Sequence, residues 1–314
     1  MNTQIPGRAE AIPATMPAVR LHAPGGIENL VVEDTPVPEP GPGEVLVRVH
    51  AAAITRDELT WPVDRLPATP SYELSGVVAA VGGGVDAPRV GEDVYALTPF
   101  DRDGVAAEYA VVPAMLLAAK PRSIGHVEAS ALPMTGLSAW QGLFVHGGLE
   151  AGQRVVIHGA GGGVGHVAIG LARWRGAHVI GTATGEGVES ASAFGADEVI
   201  DRASARFEEV VQPVDLVFDT VGGETLARSP AVLREGGRLV SIAEEPPEGV
   251  SGTYFVVEPE RRQLTELAGV VDEGRLRPAI DSVFSLAEAR QAFGRVMASG
   301  KRGKVVLEVW PPPA

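Results

Sequence analysis

The chain has 314 residues, of which 45% are hydrophobic and 21% charged, a size and composition typical of two globular domains that each bury a core. It contains no cysteine, which excludes disulfides, cysteine-ligated zinc, iron–sulfur clusters and a thiol nucleophile. A formal net charge of -14 without a basic stripe argues against a nucleic-acid partner, and no apolar run is long enough to predict a membrane span.

The N-terminal part predicts a tail followed by a β-rich domain. Residues 1–15 lack the apolar stretch of a secretory signal, so we expect a flexible tail, and a cytoplasmic location agrees with the lack of cysteine. From Met16 to about Pro121, short alternating or β-branched runs are interrupted by glycine and proline, which favours a barrel-like arrangement of strands. Residues 39–43 are interpreted as a turn within it.

The middle of the chain has a different and regular pattern. Compact apolar runs alternate with segments of helical length, which indicates a doubly wound parallel sheet covered by helices on both faces. Helices near residues 259–273 and 286–298 and a strand at 304–309 are expected to close the chain. The apolar runs are RVVIHG (154–159), HVIGTA (178–183), EVID (198–201), DLVFDTV (215–221) and RLVSIA (238–243).

The strongest single motif is a glycine-rich turn after the first of these runs. A strand that ends at Gly159 is followed by the turn, an apolar helix, and a second strand near Ala177. Small residues in such a turn let the backbone approach a pyrophosphate closely, and the helix N-terminus presents free N–H groups to it. The spacing predicts a dinucleotide site formed by Ala160, Gly161, Gly162, Gly163, Val164 and Gly165.

The end of the second strand bears on the choice between NADPH and NADH. An NAD site commonly has an acidic residue there, whereas this strand ends in Ala183 and Thr184. The missing carboxylate favours NADP(H), with Arg202 as a candidate partner of the 2′-phosphate. Against this, no basic residue follows the strand directly, Glu186 is close, and Arg202 is equally well interpreted as a surface residue.

Motifs along nearly the whole chain resemble the medium-chain dehydrogenase/reductase superfamily. From Met16 onward they are AAAITRDELTWP, PSYELSGVVAAVGGGV, GEDVYAL, GVAAEY, ALPMTGLSAW, HGAGGGVG, GADEVID, DTVGG and GKVVLEV. More narrowly, the chain resembles the zinc-free quinone oxidoreductase branch, which includes enoyl reductases. The resemblance implies an α/β protein with a GroES-like catalytic domain (16–128, completed by 258–314), a Rossmann NADP-binding domain (129–257), and nicotinamide and substrate in the cleft between them.

The resemblance also identifies the positions at which zinc-dependent members bind their metal. Here those positions hold Thr55, Tyr72 and Met134, which are poor zinc ligands together, and the structural zinc lobe is absent. We therefore expect no metal. A quinone or α,β-unsaturated carbonyl is then the expected acceptor, because hydrogen bonds can stabilise the delocalised charge that hydride addition creates.

The remaining site residues are predicted from the resemblance and from the strand ends. Thr55 and Tyr72 are the candidate catalytic donors, with packing at the domain interface as the alternative for Tyr72. Ser138 is expected against the nicotinamide, with helix packing as the alternative, and Trp61 and Phe100 are candidates for the substrate pocket. Further candidate coenzyme contacts, each of which has a core role as its alternative, are Thr220, Val221, Ser241, Ile242, Ala243, Phe255 and Val256.

Three functions stay open at this point. The first is NADPH-dependent, zinc-independent reduction of a quinone or conjugated carbonyl, the second is an enoyl reductase of a biosynthetic pathway, and the third is a non-catalytic NADP(H)-binding scaffold. A homodimer is expected, because members of this branch commonly pair through an edge strand of the nucleotide domain and residues 253–258 form a suitable apolar run. The alternative for that run is a buried interior strand.

Overall fold

The computed structural model describes residues 11–61, 64–298 and 300–310. Most of the tail predicted for residues 1–15 lies outside these ranges. Within them, no helix combines the length and apolar character needed to cross a membrane. Two larger sheets, one mixed and one parallel, organise the chain.

The strands are β1 (Thr15–Leu21), β2 (Leu30–Pro36), β3 (Glu44–Ile54), β4 (Glu73–Val81), β5 (Asp93–Leu97), β6 (Tyr109–Pro113), β7 (Ala118–Ala119), β8 (Arg154–His158), β9 (His178–Ala183), β10 (Glu198–Asp201), β11 (Val214–Asp219), β12 (Leu233–Ser241), β13 (Gly252–Tyr254), β14 (Ile280–Ser285) and β15 (Lys304–Glu308). The α-helices are α1 (His126–Ser130), α2 (Pro133–Trp140), α3 (Gly163–Arg175), α4 (Glu186–Ala193), α5 (Phe207–Val210), α6 (Gly223–Arg228), α7 (Arg261–Asp272) and α8 (Ala289–Met297). A π-helical segment, Gln141–His146, continues α2.

The mixed sheet is the GroES-like part, and both ends of the chain contribute to it. Its strand order is β14-β15-β3-β4-β5-β7, and β6 also pairs with β3. Val45, Val47 and Val49 alternate along β3 on the face that enters the core, as the two-residue period of a strand requires. The antiparallel pairing of β15 with the end of β3 brings the C-terminal segment beside residues 51–54.

The second sheet is a Rossmann-type doubly wound sheet, which confirms the predicted fold class. Its order is β10-β9-β8-β11-β12-β13, and every pairing is parallel. The chain runs outward from β8 to β10 and then returns to β11, so the direction of winding reverses between β8 and β11. Ligands of open parallel sheets bind outside the carboxyl ends of the strands at this switch point.

Several predicted elements differ from the structure for local reasons. Before the parallel sheet, two short helices, α1 and α2, stand in place of one longer helix, because Pro133 begins α2 and cannot continue the preceding helix. The strand predicted over 215–221 ends at Asp219, whose carboxylate accepts hydrogen bonds from the N–H groups of Val221 and Gly222. Within the run 253–258, only Thr253 and Tyr254 belong to a strand, β13. The domain boundaries at 128/129 and 257/258 stay a prediction.

Candidate active site

A cleft of about 1130 Å³ lies at the carboxyl ends of the central parallel strands and is bounded on its other side by residues of the GroES-like part. The predicted site residues that line it are Thr55, Trp61, Phe100, Ser138, Gly161, Gly162, Gly163, Val164, Ala183, Thr184, Arg202, Thr220, Ile242, Ala243, Phe255 and Val256. The predicted site residues that do not line it are Tyr72, Ala160, Gly165, Val221 and Ser241.

The glycine-rich turn is built so that one glycine opens onto the cleft. A Cβ on Gly161 would lie 2.6 Å from the backbone of Gly187, and one on Gly165 would collide with the carbonyl oxygen of Gly159. A Cβ on Gly163 would have nothing nearer than 3.8 Å. Gly161 and Gly165 therefore permit close packing of the turn, while a side chain on Gly163, the first residue of α3, would meet only van der Waals contacts at the lining of the cleft, where a pyrophosphate would approach the backbone.

At the end of β9 the cleft is lined by the uncharged side chain of Ala183 and by Arg202, whose guanidinium group has a buried nitrogen. The Arg202 backbone N–H donates to the carbonyl oxygen of Ala183 at 3.0 Å, and its Nη1 donates to Thr225 Oγ1 at 2.6 Å. Arg202 Nε is buried and has no hydrogen-bond partner among the described residues. Glu186, the acid that complicated the sequence interpretation, forms an ion pair at 2.8 Å with Arg302 from the opposite side of the cleft.

The loops after β11 and β12 are fixed by hydrogen bonds beneath the cleft. Thr220 Oγ1 donates to the carbonyl oxygen of His158 at 2.8 Å, and Ser241 Oγ donates to the Asp219 carboxylate at 2.9 Å. Burial raises the pKa of Asp219, although the hydrogen bonds from Ser241 and from the N–H groups of Gly222 and Val221 oppose the shift. Ser241 thus supports the loop from behind, while Thr220 reaches the lining.

Two aromatic rings, those of Trp61 and Phe100, line the cleft, and a third, that of Tyr72, packs behind them. The ring centroids of Trp61, Tyr72 and Phe100 lie 5.2 to 5.7 Å from one another. Tyr72 is fully buried behind the other two, and its hydroxyl accepts a hydrogen bond from Arg65 Nη2 at 3.2 Å. Burial raises the pKa of Tyr72, so the phenol stays protonated. This position corresponds to the packing alternative for Tyr72.

Thr55 belongs to a buried polar cluster that sequence reasoning missed in part. Its Oγ1 accepts a hydrogen bond from Lys304 Nζ at 2.8 Å and lies 3.4 Å from Met134 Sδ. Lys304 also forms an ion pair with Glu73, which accepts the Met134 N–H at 2.9 Å. Lys304 stands in the GKVVLEV motif, but nothing in that motif signals a contact with residues so far away in the chain.

A second buried carboxyl group supports the loop that carries Thr55. Glu58 accepts hydrogen bonds from the N–H groups of Thr55 at 2.9 Å and of Ser71 at 3.1 Å. Burial raises the pKa of Glu58 to about 8, and nearby Lys304 opposes this shift. Ser71 has a positive φ of 68°, a strained conformation that its buried hydrogen bonds help to hold.

No group of three or more histidine, aspartate or glutamate side chains suited to a metal ion occurs in the ranges that the structure describes. Thr55 and Met134 do converge, as expected for two former ligand positions, but a hydroxyl and a thioether are weak ligands for zinc. The cation beside them is the Lys304 ammonium.

Known proteins similar to this chain agree with its architecture. Residues 41–122 match the family described as alcohol dehydrogenase GroES-like domain, and residues 194–307 match the family described as zinc-binding dehydrogenase. A 2-methylene-furan-3-one reductase of Solanum lycopersicum is 32% identical over 96% of this chain and 81% of its own length. A chloroplastic NADPH-dependent alkenal/one oxidoreductase of Arabidopsis thaliana is 32% identical over 95% and 80%, respectively.

Solved structures give the same result. The quinone oxidoreductase of Coxiella burnetii superposes with a TM-score of 0.86 at 29% identity and covers 94% of this chain and 99% of its own. The resemblance noted in the sequence motifs therefore extends to the arrangement of both sheets.

Proposed function

Since the chain belongs to the medium-chain dehydrogenase/reductase superfamily and is similar to its quinone and alkenal oxidoreductases, we propose that it reduces a quinone or an α,β-unsaturated carbonyl with NADPH and without a metal ion. The observation that carries the proposal is one continuous cleft, which joins the open glycine-rich turn to the hydroxyl of Thr55 and the rings of Trp61 and Phe100. A reduced nicotinamide bound there supplies the hydride.

The turn and the strand ends bind and orient the coenzyme. The backbone N–H groups at the start of α3 hold the pyrophosphate, where Gly163 leaves room. Ser138, Thr220 and Phe255 line the same cleft and are the residues proposed to hold the nicotinamide. Phe255 is kept in place by its ring contact with His146, whose centroid is 4.4 Å away.

Two observations at the adenosine end support NADPH over NADH. Ala183 puts no negative charge beside the ribose, so a 2′-phosphate meets no repulsion there. Arg202 lines the same cleft, and its buried Nε has no hydrogen-bond partner among the described residues, so a movement of its side chain towards the ribose would let it pair with a 2′-phosphate. Glu186, the acid that would oppose a phosphate, is held in an ion pair with Arg302 at 2.8 Å.

The acceptor end suits a flat conjugated molecule. Trp61 and Phe100 provide an apolar wall that excludes water, and the Thr55 hydroxyl is the polar group at its edge. That hydroxyl can donate a hydrogen bond to a carbonyl oxygen on which negative charge develops. An unactivated ketone develops a localised alkoxide, for which the donor set offers no strong Lewis acid.

Parallel assays test this proposal. Chelator-treated protein is mixed with NADPH and, separately, a benzoquinone, a 2-alkenal and an enoyl thioester, and coenzyme oxidation is followed by absorbance. We expect turnover with the quinone or the alkenal and no gain when zinc is added back. Turnover with the enoyl thioester alone would favour the biosynthetic enoyl reductase, and tight NADPH binding without oxidation by any acceptor would favour the scaffold.

A further inference from the structure

We propose that Lys304 acts as the charge and proton source of this site, polarising the acceptor oxygen through the Thr55 hydroxyl and replacing the proton that the hydroxyl gives up. The inference rests on the proposed reductase function, because it assigns how the acceptor oxygen is stabilised. It makes Lys304 a positioning and relay residue that works through Thr55.

The Lys304 side chain runs from the glycine-rich turn to Thr55. Its Cδ lies 3.8 Å from the position of a Cβ on Gly163, and its Nζ reaches Thr55 Oγ1 at 2.8 Å. The lysine side chain is 8% exposed and Glu73, its ion-pair partner, is fully buried. An ammonium group this deeply buried is costly to desolvate, so it needs the partners that surround it.

The ammonium keeps one donor available in the cleft. A lysine ammonium has three N–H groups. Lys304 donates one hydrogen bond to Thr55 and one to Glu73, and its third N–H has no partner within the described part of the chain. Lys304 lines the same cleft as Thr55, Trp61 and Phe100. Lys304 and Thr55 therefore belong to the same cleft in which an acceptor would be held.

The Thr55 hydroxyl can link Lys304 to an acceptor, because it accepts one hydrogen bond and donates another. It accepts a hydrogen bond from Lys304 and directs its own hydrogen to Met134 Sδ at 3.4 Å, a weak acceptor. A carbonyl oxygen in the cleft is a stronger acceptor, so the hydroxyl turns to it on binding. Hydrogen bonds in such a chain polarise one another, which strengthens the last donor.

The step balances without a further reactant. The β-carbon of the conjugated acceptor receives the hydride from the reduced nicotinamide, and the electron pair of its C=C bond moves towards the carbonyl oxygen. That oxygen takes the Thr55 proton, Thr55 takes one proton from the Lys304 ammonium, and the neutral amine regains a proton from water at the open side of the cleft. The acceptor gains two electrons and two hydrogens in total.

A coenzyme-free binding assay tests the proposal without relying on turnover. 4-Nitrophenol, whose anion resembles the developing oxyanion, is titrated with the protein near the pH at which free 4-nitrophenol is half ionised, and the visible spectrum reports its ionisation. We expect wild-type protein to favour the phenolate by about tenfold or more. Lys304→Met and the nearly isosteric Thr55→Val should both lose this preference, whereas Lys304→Arg should retain part of it.

The control removes a lysine outside the cleft. Lys120 donates to the carbonyl oxygens of Pro121 and Ile124 and does not line the cleft, so Lys120→Met should bind the phenolate as wild type does. An unchanged phenolate preference in Thr55→Val and in folded Lys304→Met would overturn the proposal and leave Lys304 as a structural ion-pair partner. Failure of wild-type protein to prefer the phenolate would overturn it as well.

Chemical rescue supplies a second readout. A Lys304→Ala variant should regain hydride transfer to an alkenal when ethylammonium is added, and 1-propanol of similar size should give no gain. A lysine that only pairs with Glu73 would also be rescued by ethylammonium in the Lys304→Ala/Thr55→Val double variant, whereas the relay through Thr55 predicts no rescue there. Because the phenolate assay needs no coenzyme, an inactive enzyme with a normal phenolate shift would count against the proposed function and not against this inference.

Discussion

Ala183 and Arg202 are the residues on which the proposed coenzyme choice rests. Both line the cleft, and the backbone N–H of Arg202 is hydrogen-bonded to the carbonyl oxygen of Ala183. An aspartate at 183 would put a negative charge beside the ribose and would compete with phosphate for Arg202. We therefore propose that Ala183, whose side chain is a single methyl group, discriminates between the coenzymes.

Replacing Ala183 with aspartate should weaken NADPH binding much more than NADH binding. The expected penalty is about 1–3 kcal/mol if the pocket is partly desolvated. Ala183→Asn, which has the same shape without the charge, is the matched control, and Arg202→Ala should shift the preference in the same direction. Fluorescence titration with both coenzymes measures the ratio of dissociation constants, and a ratio unchanged by Ala183→Asp would refute this reading of the strand end.

Gly163→Val should leave the fold intact and abolish coenzyme binding. The new Cβ would be in ordinary van der Waals contact with Lys304, Thr135 and Gly303 at 3.8 to 3.9 Å, and the two methyl groups would occupy space at the lining of the cleft. Gly269→Val on α7, where a Cβ meets no atom within 4 Å, is the control and should bind normally. Circular dichroism checks the fold, and undiminished NADPH affinity in Gly163→Val would mean that the turn does not hold the pyrophosphate.

The first strand of the parallel sheet ends in a buried histidine that stays neutral. His158 on β8 is bonded to Thr182 Oγ1 at 2.8 Å and to Ser229 Oγ at 3.0 Å, and burial lowers its pKa to about 3. The side chain thus links β8 to β9 and to the segment before β12. His158 ends β8, the strand that leads into the glycine-rich turn, so its neutral imidazole helps to hold the base of that turn.

Acid should therefore destabilise the protein through His158. Its pKa is lower in the folded protein than the ordinary value of 6.5, so the stability it contributes is present above pH 6.5 and is lost as pH falls towards 3. One such group makes the free energy of unfolding fall by up to about 1.4 kcal/mol for each pH unit of acidification in this range. Burial lowers the pKa of His126 and of His166 to about 4, and both act in the same direction.

Urea unfolding between pH 7 and pH 5 measures this effect. His158→Gln should reduce the loss of unfolding free energy over that range, although it lowers stability at pH 7 by removing hydrogen bonds. His22→Gln removes a half-exposed histidine paired with Glu33 and should leave the slope nearly unchanged. Equal slopes in wild type and His158→Gln would contradict the assignment of a buried neutral imidazole.

At the scale of the whole molecule, what could be predicted from the sequence depends on the distance over which residues interact. The turn 160–165 and the strand 178–183 were predicted because their signals, glycine spacing and apolar runs, are local in the chain. The contact of Lys304 with Thr55 and the pairing of Arg302 with Glu186 could not be predicted, because each joins residues that only the fold brings together.

The homodimer stays a proposal, and β13 is the strand on which it depends. β13 lies at the edge of the parallel sheet, and Thr253 on it is exposed. Two copies paired through this edge would bury unpaired backbone groups. Light scattering should give twice the chain mass, and Thr253→Asp should shift the protein towards monomer by placing like charges across the symmetry axis. A monomer mass for wild type at micromolar concentration would remove the proposal.

The most direct test of metal-free hydride transfer to a conjugated acceptor follows the hydride itself. Chelator-treated protein is given NADPH that carries deuterium at C4 on either face, together with a 2-alkenal, and the product is analysed by mass spectrometry and NMR. We expect one deuterium at the β-carbon from one of the two labelled coenzymes, and none from the other. An unlabelled product from both coenzymes, or reduction only after zinc is restored, would contradict the account.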